Sequence, residues 1–164
     1  MKHLTLIRHA KSSWDHSGLS DFERPLNARG QRDLPGLVER ATGQLPRPER
    51  LIFSGAVRTR QTSQPLAEAW QLDESAWLER RDAYEASLDA LLALLREQPD
   101  SCHHLVLVGH NPGMSDLLAH LTATPPRHYP TAAFAHLELA VDRWSALERG
   151  CARLLIFDYP KLHA

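Results

Sequence analysis

The chain of 164 residues is 43% hydrophobic and 24% charged, the make-up of a soluble domain with one core of ordinary size, which excludes a disordered chain. Nineteen Lys and Arg offset twenty Asp and Glu, for a formal net charge of -1, so there is no long-range attraction for a polyanion and no case for general nucleic-acid binding. No apolar run approaches the roughly 20 residues of a bilayer helix, and the apolar part of Met1 to Arg8 is too short for a signal peptide. A cytoplasmic protein without a membrane partner is expected. Cys102 and Cys151 stand far apart with no Cys-x-x-Cys pair, so they read as two semi-buried thiols and not as a disulfide framework or a thiolate zinc site.

In chain order, His3 to Ile7 reads as a first buried strand. Asn27, before Ala28-Arg29-Gly30-Gln31, caps a helix that Gly30 and Pro35-Gly36 should make irregular. Arg50 to Phe53 is a second buried strand, and Leu88, Leu91, Leu92 and Leu95 fall on one face of a later helix. A third strand, His104 to Val108, is followed by Asn111-Pro112, which places an N-cap beside a proline at the first helical position. Met114, Leu117, Leu118 and Leu121 form the apolar face behind it. Ala132 to Val141 alternates loosely and reads as one more strand at an edge, and Arg153 to Phe157 as a last buried one. Breakers at Pro46-Arg47-Pro48 and Thr124-Pro125-Pro126-Arg127 mark surface loops; neither is long enough for a linker, and no repeat is present. Residues 1–164 therefore read as a single α/β domain, a three-layer sandwich with a mostly parallel central sheet flanked by helices.

In such sheets ligands bind beyond the carboxyl ends of the strands. The first strand runs into Arg8-His9-Ala10-Lys11-Ser12, the second into Ser54-Gly55-Ala56-Val57-Arg58 and the third into Gly109-His110-Asn111-Pro112-Gly113. Two arginines and two histidines thus converge on one end of the sheet. An imidazole is a good nucleophile toward phosphorus, because one nitrogen attacks while the other keeps its proton and an orienting hydrogen bond. Guanidinium groups offer planar paired donors to phosphoryl oxygens. A second, protonated His and the helix start at Asn111-Pro112 add positive charge. The set suits phosphoryl transfer through a phosphohistidine without a metal or other cofactor.

Leu6-Ile7-Arg8-His9-Ala10-Lys11-Ser12-Ser13-Trp14 resembles the Arg-His-Gly signature of the histidine phosphatase, or phosphoglycerate mutase-like, superfamily. Asp21-Phe22-Glu23-Arg24-Pro25-Leu26-Asn27-Ala28-Arg29-Gly30 is similar to the Arg-Pro-Leu-x-x-x-Gly stretch of its short members. Ser54 to Arg58 with Arg60-Gln61-Thr62 resembles its Ser-Pro-x-x-Arg-x-x-Gln-Thr motif, and Val108 to Gly113 the segment bearing its second His. The similarity spans about Leu4 to about Leu121 and resembles the SixA branch, the phosphohistidine phosphatases. The resemblance implies His9 as the nucleophile, Arg8 and Arg58 on the phosphoryl oxygens, and His110 completing the phosphate pocket. Ala10 replaces the usual Gly and Gly55 the usual Pro. The proton donor to the leaving group falls to Asp21 first and to Glu85, in Tyr84-Glu85-Ala86-Ser87, second; a phosphohistidine has less need of one.

Other residues have plainer readings. His103-His104 with His110 lacks a third ligand at regular spacing, so no metal site is expected. His3, His16, His120, His128, His136 and His163 read as surface or partly satisfied histidines. Trp14 walls the pocket or packs, Lys11 and Ser12 touch phosphate or only follow the nucleophile, and Arg24 and Arg29 read as structural ion-pair partners. The expected activity is that of a metal-independent phosphatase acting through phospho-His9 on a phosphohistidine protein. The alternatives are a small-molecule phosphomonoesterase of the same mechanism and a non-catalytic phosphate-binding module. A mutase fits less well, because it must shield phospho-His9 from water.

Overall fold

A computed structural model describes residues 1–14 and 18–163; His16, read above as a surface histidine, lies outside them. One six-stranded sheet runs through the molecule. Its strands are β1 (Lys2–Arg8), β2 (Arg50–Phe53), β3 (Trp77–Glu79), β4 (His104–Gly109), β5 (Phe134–Leu139) and β6 (Ala152–Asp158), in the spatial order β3-β2-β4-β1-β5-β6. The pairs β1–β4, β2–β4 and β2–β3 are parallel, whereas β5 lies antiparallel to both β1 and β6. The four long helices are α1 (Ala28–Gln44), α2 (Val57–Ala69), α3 (Leu88–Arg96) and α4 (Gly113–Thr122).

Alternation along the strands divides the core into two layers. Leu4 and Leu6 of β1 face the layer that holds Leu105, Leu107, Leu91 and Leu95 of α3, and Leu117 and Leu121 of α4. Ile7 of β1 faces the other layer, with Val106, Val108, Leu37 of α1 and Leu66 of α2. Central strands covered on both faces are mostly apolar, which is why β2 and β4 read as near-continuous runs and β1 as one interrupted by Thr5. Among the described residues, no helix is long and apolar enough to cross a membrane.

Several expectations shift. β5 is not an edge strand but lies between β1 and β6; four of its first residues, Phe134 to Leu137, are buried, and the edges fall to β3 and β6. The last strand is accordingly half-exposed rather than buried. The three residues of β3 are too few to show a period, and the sequence reading missed that strand. Helix α1 runs unbroken through Pro35. The carbonyl that loses its partner belongs to Gln31, which is exposed, so water can take the lost bond. Asn27 caps that helix as expected, accepting from Gly30 N at 2.9 Å. At α4 the start falls one residue later than expected: Pro112, with ψ of 0°, stands outside the helical well as the N-cap. Asn111 Oδ1 instead accepts from Ser115 N at 3.2 Å. Cys102 is buried and Cys151 partly so. His136 is buried, not a surface residue: its Nδ1 lies 2.8 Å from Thr5 Oγ1, which also lies 2.7 Å from His104 Nε2.

Candidate active site

The parallel strands β1, β2 and β4 end side by side, since Arg8 pairs with Gly109 and Phe53 with Val108. The residues after those ends share one cavity of about 570 Å³, lined among others by Arg8, His9, Arg58, His110, Asp21 and Glu85. The structure therefore brings all six sequence-selected residues to one place.

His9 is held by its own backbone neighbour, with Nδ1 2.7 Å from the carbonyl oxygen of Ala10. A carbonyl only accepts, so Nδ1 carries the proton and Nε2 keeps its lone pair. Burial, reinforced by His110, Arg58 and Arg8, lowers the His9 pKa to about 3 against the pull of the Ala10 carbonyl. The imidazole is therefore neutral at pH 7. Ala10 itself is buried, and its N–H donates to Thr62 Oγ1 at 3.0 Å. Its backbone is not among the left-handed residues of the described chain, so alanine replaces the usual glycine without strain. Gly55 is different: its φ of +92° is closed to proline, so this departure goes with a local backbone that the usual residue cannot adopt.

His110 sits with its ring centroid 5.3 Å from that of His9. Arg58 Nη2 donates toward its Nδ1 at 3.3 Å, which leaves the proton on Nε2, and this lies 2.6 Å from Ser54 Oγ. The Thr59 hydroxyl donates to the Ala56 carbonyl at 2.8 Å and lies 2.9 Å from Ser54 Oγ. The order of donation is therefore His110 to Ser54 to Thr59 to Ala56. Burial and then Arg58 lower the His110 pKa to about 4, despite the opposing charge of Asp21. From the sequence alone this histidine is expected to be protonated. In the free protein it is neutral, because burial and Arg58 together outweigh the Asp21 carboxylate.

The arginines are anchored with donors to spare. Arg8 Nη1 donates to the Tyr129 carbonyl at 2.8 Å, and Arg58 donates to the carbonyl and carboxylate of Asp21 at 2.5 and 2.9 Å. The Nε atoms of both are buried without a hydrogen-bond partner among the described residues, a state that an oxyanion would relieve.

Asp21 opens a single 3-10 turn, Asp21–Glu23, that Glu23 closes by accepting from Ser20 N at 3.2 Å. Burial pushes the Asp21 carboxyl up, but hydrogen bonds from Tyr84, Arg58 and Arg24 outweigh it and hold the pKa at about 2. Tyr84, whose hydroxyl donates to Asp21 Oδ2, also sets its ring edge-on to His110 at 5.4 Å. Glu85 is exposed at the cavity wall, in a left-handed conformation with φ of 51°. Arg24 is an ion-pair partner, 3.0 Å from Asp21 Oδ1, and Arg29 is exposed. Lys11, Ser12 and Trp14 all line the cavity. Tyr84 and Tyr129 were not singled out from sequence; the Tyr84-Glu85-Ala86-Ser87 stretch carried a signal for the first, and nothing local marked the second.

A family model described as the histidine phosphatase superfamily, branch 1, matches residues 4–83. An uncharacterized protein of Mycobacterium tuberculosis is 33% identical over 167 residues, covering 94% of this chain and 100% of its own length. Two solved structures assigned as phosphohistidine phosphatase SixA are similar over nearly the whole chain. That from Nakamurella multipartitia has a TM-score of 0.81 at 26% identity, covering 97% of this chain and 96% of its own. That from Agrobacterium tumefaciens also has a TM-score of 0.81, at 28% identity and 97% and 98% coverage.

Proposed function

The chain belongs to the SixA-type branch of the histidine phosphatase superfamily, a family of phosphatases, and from that premise we propose that it hydrolyses phosphohistidine in a partner protein through a phosphoryl intermediate on His9. The observation that carries this reading is the neutral His9, with its bare Nε2 in the cavity that Arg8, Arg58 and His110 also line. Similarity to chains assigned as phosphohistidine phosphatases supports the substrate class.

In the first step the His9 Nε2 lone pair attacks phosphorus in line. A new P–N bond forms as the substrate P–N bond breaks; the electron pair stays on the departing nitrogen, and the proton on the far nitrogen of that ring makes the leaving group a neutral imidazole. Arg8 and Arg58 hold the phosphoryl oxygens as charge spreads over them, which is where preorganised donors lower the barrier most. In phospho-His9 the proton stays on Nδ1, which donates to the Ala10 carbonyl, and that bond favours the positive ring. Water then attacks phosphorus, inorganic phosphate leaves, one proton goes to solvent and neutral His9 is restored. The two arginines supply charge that a metal provides in other phosphatases.

The weak place of acid catalysis in this site supports a good leaving group. A general acid works best with a pKa near the working pH. Asp21, the first candidate donor, is held ionised at about 2, and it serves in this reading to position Arg58. An imidazole leaves without a donated proton far more readily than an alkoxide.

The deciding experiment compares the purified enzyme on a phosphohistidine protein, an aryl phosphate and an alkyl phosphate. The reading expects kcat/KM to fall in that order, with at least about 100-fold between first and last, the lower range of a general-acid contribution. Equal or better turnover of the alkyl phosphate would instead favour the small-molecule phosphomonoesterase.

A further inference from the structure

Trp14 lines the same cavity as His9, Arg8 and Arg58, yet it is 75% exposed. No step of phosphoryl transfer uses it. A large aromatic ring held in solvent at the mouth of a cavity invites a ligand explanation.

Its mounting is firm. The Arg24 guanidinium lies 3.4 Å from the centre of the indole ring and covers one face. Arg24 is itself only 8% exposed. It is tied by hydrogen bonds to Asp21 Oδ1 at 3.0 Å, Ser12 Oγ at 3.1 Å and the Ser13 carbonyl at 3.0 Å. The backbone leading to the ring is fixed as well: Ser12 bridges to Leu26, and Ser13 N donates to the Pro25 carbonyl at 2.9 Å. The indole is thus a plate backed on one face by a cation and largely exposed.

We propose that Trp14, backed by Arg24, is a stacking subsite for the planar ring from which the phosphoryl group departs, the imidazole of phosphohistidine or an aryl group. This rests on the reading of the site as a phosphatase centre and narrows its substrates to phosphates borne on flat rings. Offset stacking places ring centres about 4.5–7 Å apart, and an alkyl chain cannot reproduce it. The cation behind the indole draws density from its π system, so a neutral, electron-rich ring such as imidazole is the favoured guest.

The test measures binding by calorimetry with phenylphosphonate and methylphosphonate, whose P–C bonds do not turn over, on wild type, Trp14→Leu and Trp14→Phe. Trp14→Leu should weaken phenylphosphonate about 3- to 10-fold, the range of an aromatic pair, and move methylphosphonate by no more than about twofold. Trp14→Phe, which keeps a ring, should recover most of the loss. On a phosphohistidine peptide, Trp14→Leu should raise KM by the larger factor and change kcat less. Equal weakening of the two phosphonates, no weakening, or no recovery with phenylalanine would each overturn the subsite. The outcome is separable from that of the parent reading: an enzyme found to prefer alkyl phosphates defeats the proposed substrate, while the phosphonate ratio still decides the role of Trp14. Because the side chain is exposed, the variants should melt with the wild type, and Trp14→Gln stands in if the leucine variant does not.

Discussion

Gly30 packs so tightly beneath the chain after the nucleophile that a Cβ there would lie 2.1 Å from the carbonyl oxygen of Lys11. That oxygen also accepts from Asn27 N at 3.0 Å, so the first turn of α1 and the segment after His9 are fitted to each other. The glycine of the Arg-Pro-Leu-x-x-x-Gly stretch is thus a requirement of close backbone approach.

Gly30→Ala should therefore force the two segments apart. The expected stability loss is about 1–3 kcal/mol, typical of overpacking a filled site, and is read from urea unfolding. Activity should fall with it, because Lys11 follows Ala10, whose carbonyl anchors His9. A variant of wild-type stability and rate would show that the loop has slack.

Asp21→Asn should slow an aryl and an alkyl phosphate by similar factors. Its ionised carboxylate binds Arg58 and Arg24, and the amide loses the charge that positions both. Reaction rates on the two substrates check this directly, with Glu85→Gln as the companion variant, expected to change little. A loss confined to the alkyl phosphate would make Asp21 the proton donor after all.

Thr5 offers one hydroxyl to two buried imidazoles, His104 and His136. Its single proton serves one ring, and the other ring must donate to it. Burial first, and neighbouring histidines second, lower the pKa of His104 to about 3 and that of His136 to about 4. Unfolded, both return to about 6.5. Below that value the unfolded chain binds more protons than the folded one, so stability is full above about pH 6.5 and falls as pH drops toward 4 and 3. His9 and His110 add to the same trend. The urea midpoint should decline steadily from pH 7 to pH 4; a flat profile would contradict the burial of neutral imidazoles. Thr5→Val at pH 7 should cost about 1–3 kcal/mol by leaving both rings unpaired.

Much of this architecture is legible in the residues, for physical reasons. Leu105 to Val108 and Leu51 to Phe53 are apolar throughout because both faces of the inner strands are covered. Arg8, His9, Arg58 and His110 stand out because they follow strand ends, where a parallel sheet opens to ligands. Trp77 to Glu79 does not stand out, since three residues carry no period. The inner position of β5 depends on pairing with β1 far away in sequence, and alternation within the strand cannot report that. Tyr84 and Tyr129 reach the site from loops, 63 residues from Asp21 in one case and 121 from Arg8 in the other. The neutrality of His110 follows from burial and Arg58, and the lasting charge of Asp21 from hydrogen bonds of Tyr84, Arg58 and Arg24 that outweigh its burial.

The central claim is that the phosphoryl group passes through His9. The most direct measurement incubates the enzyme with a labelled phosphoryl donor, quenches in alkali and locates the label by mass spectrometry in wild type and in His9→Ala, with circular dichroism confirming that the variant is folded. The account predicts one acid-labile, alkali-stable phosphoryl group on His9, and neither label nor turnover in His9→Ala. Label on another residue, or His9→Ala retaining more than a few per cent of the wild-type rate, would contradict it.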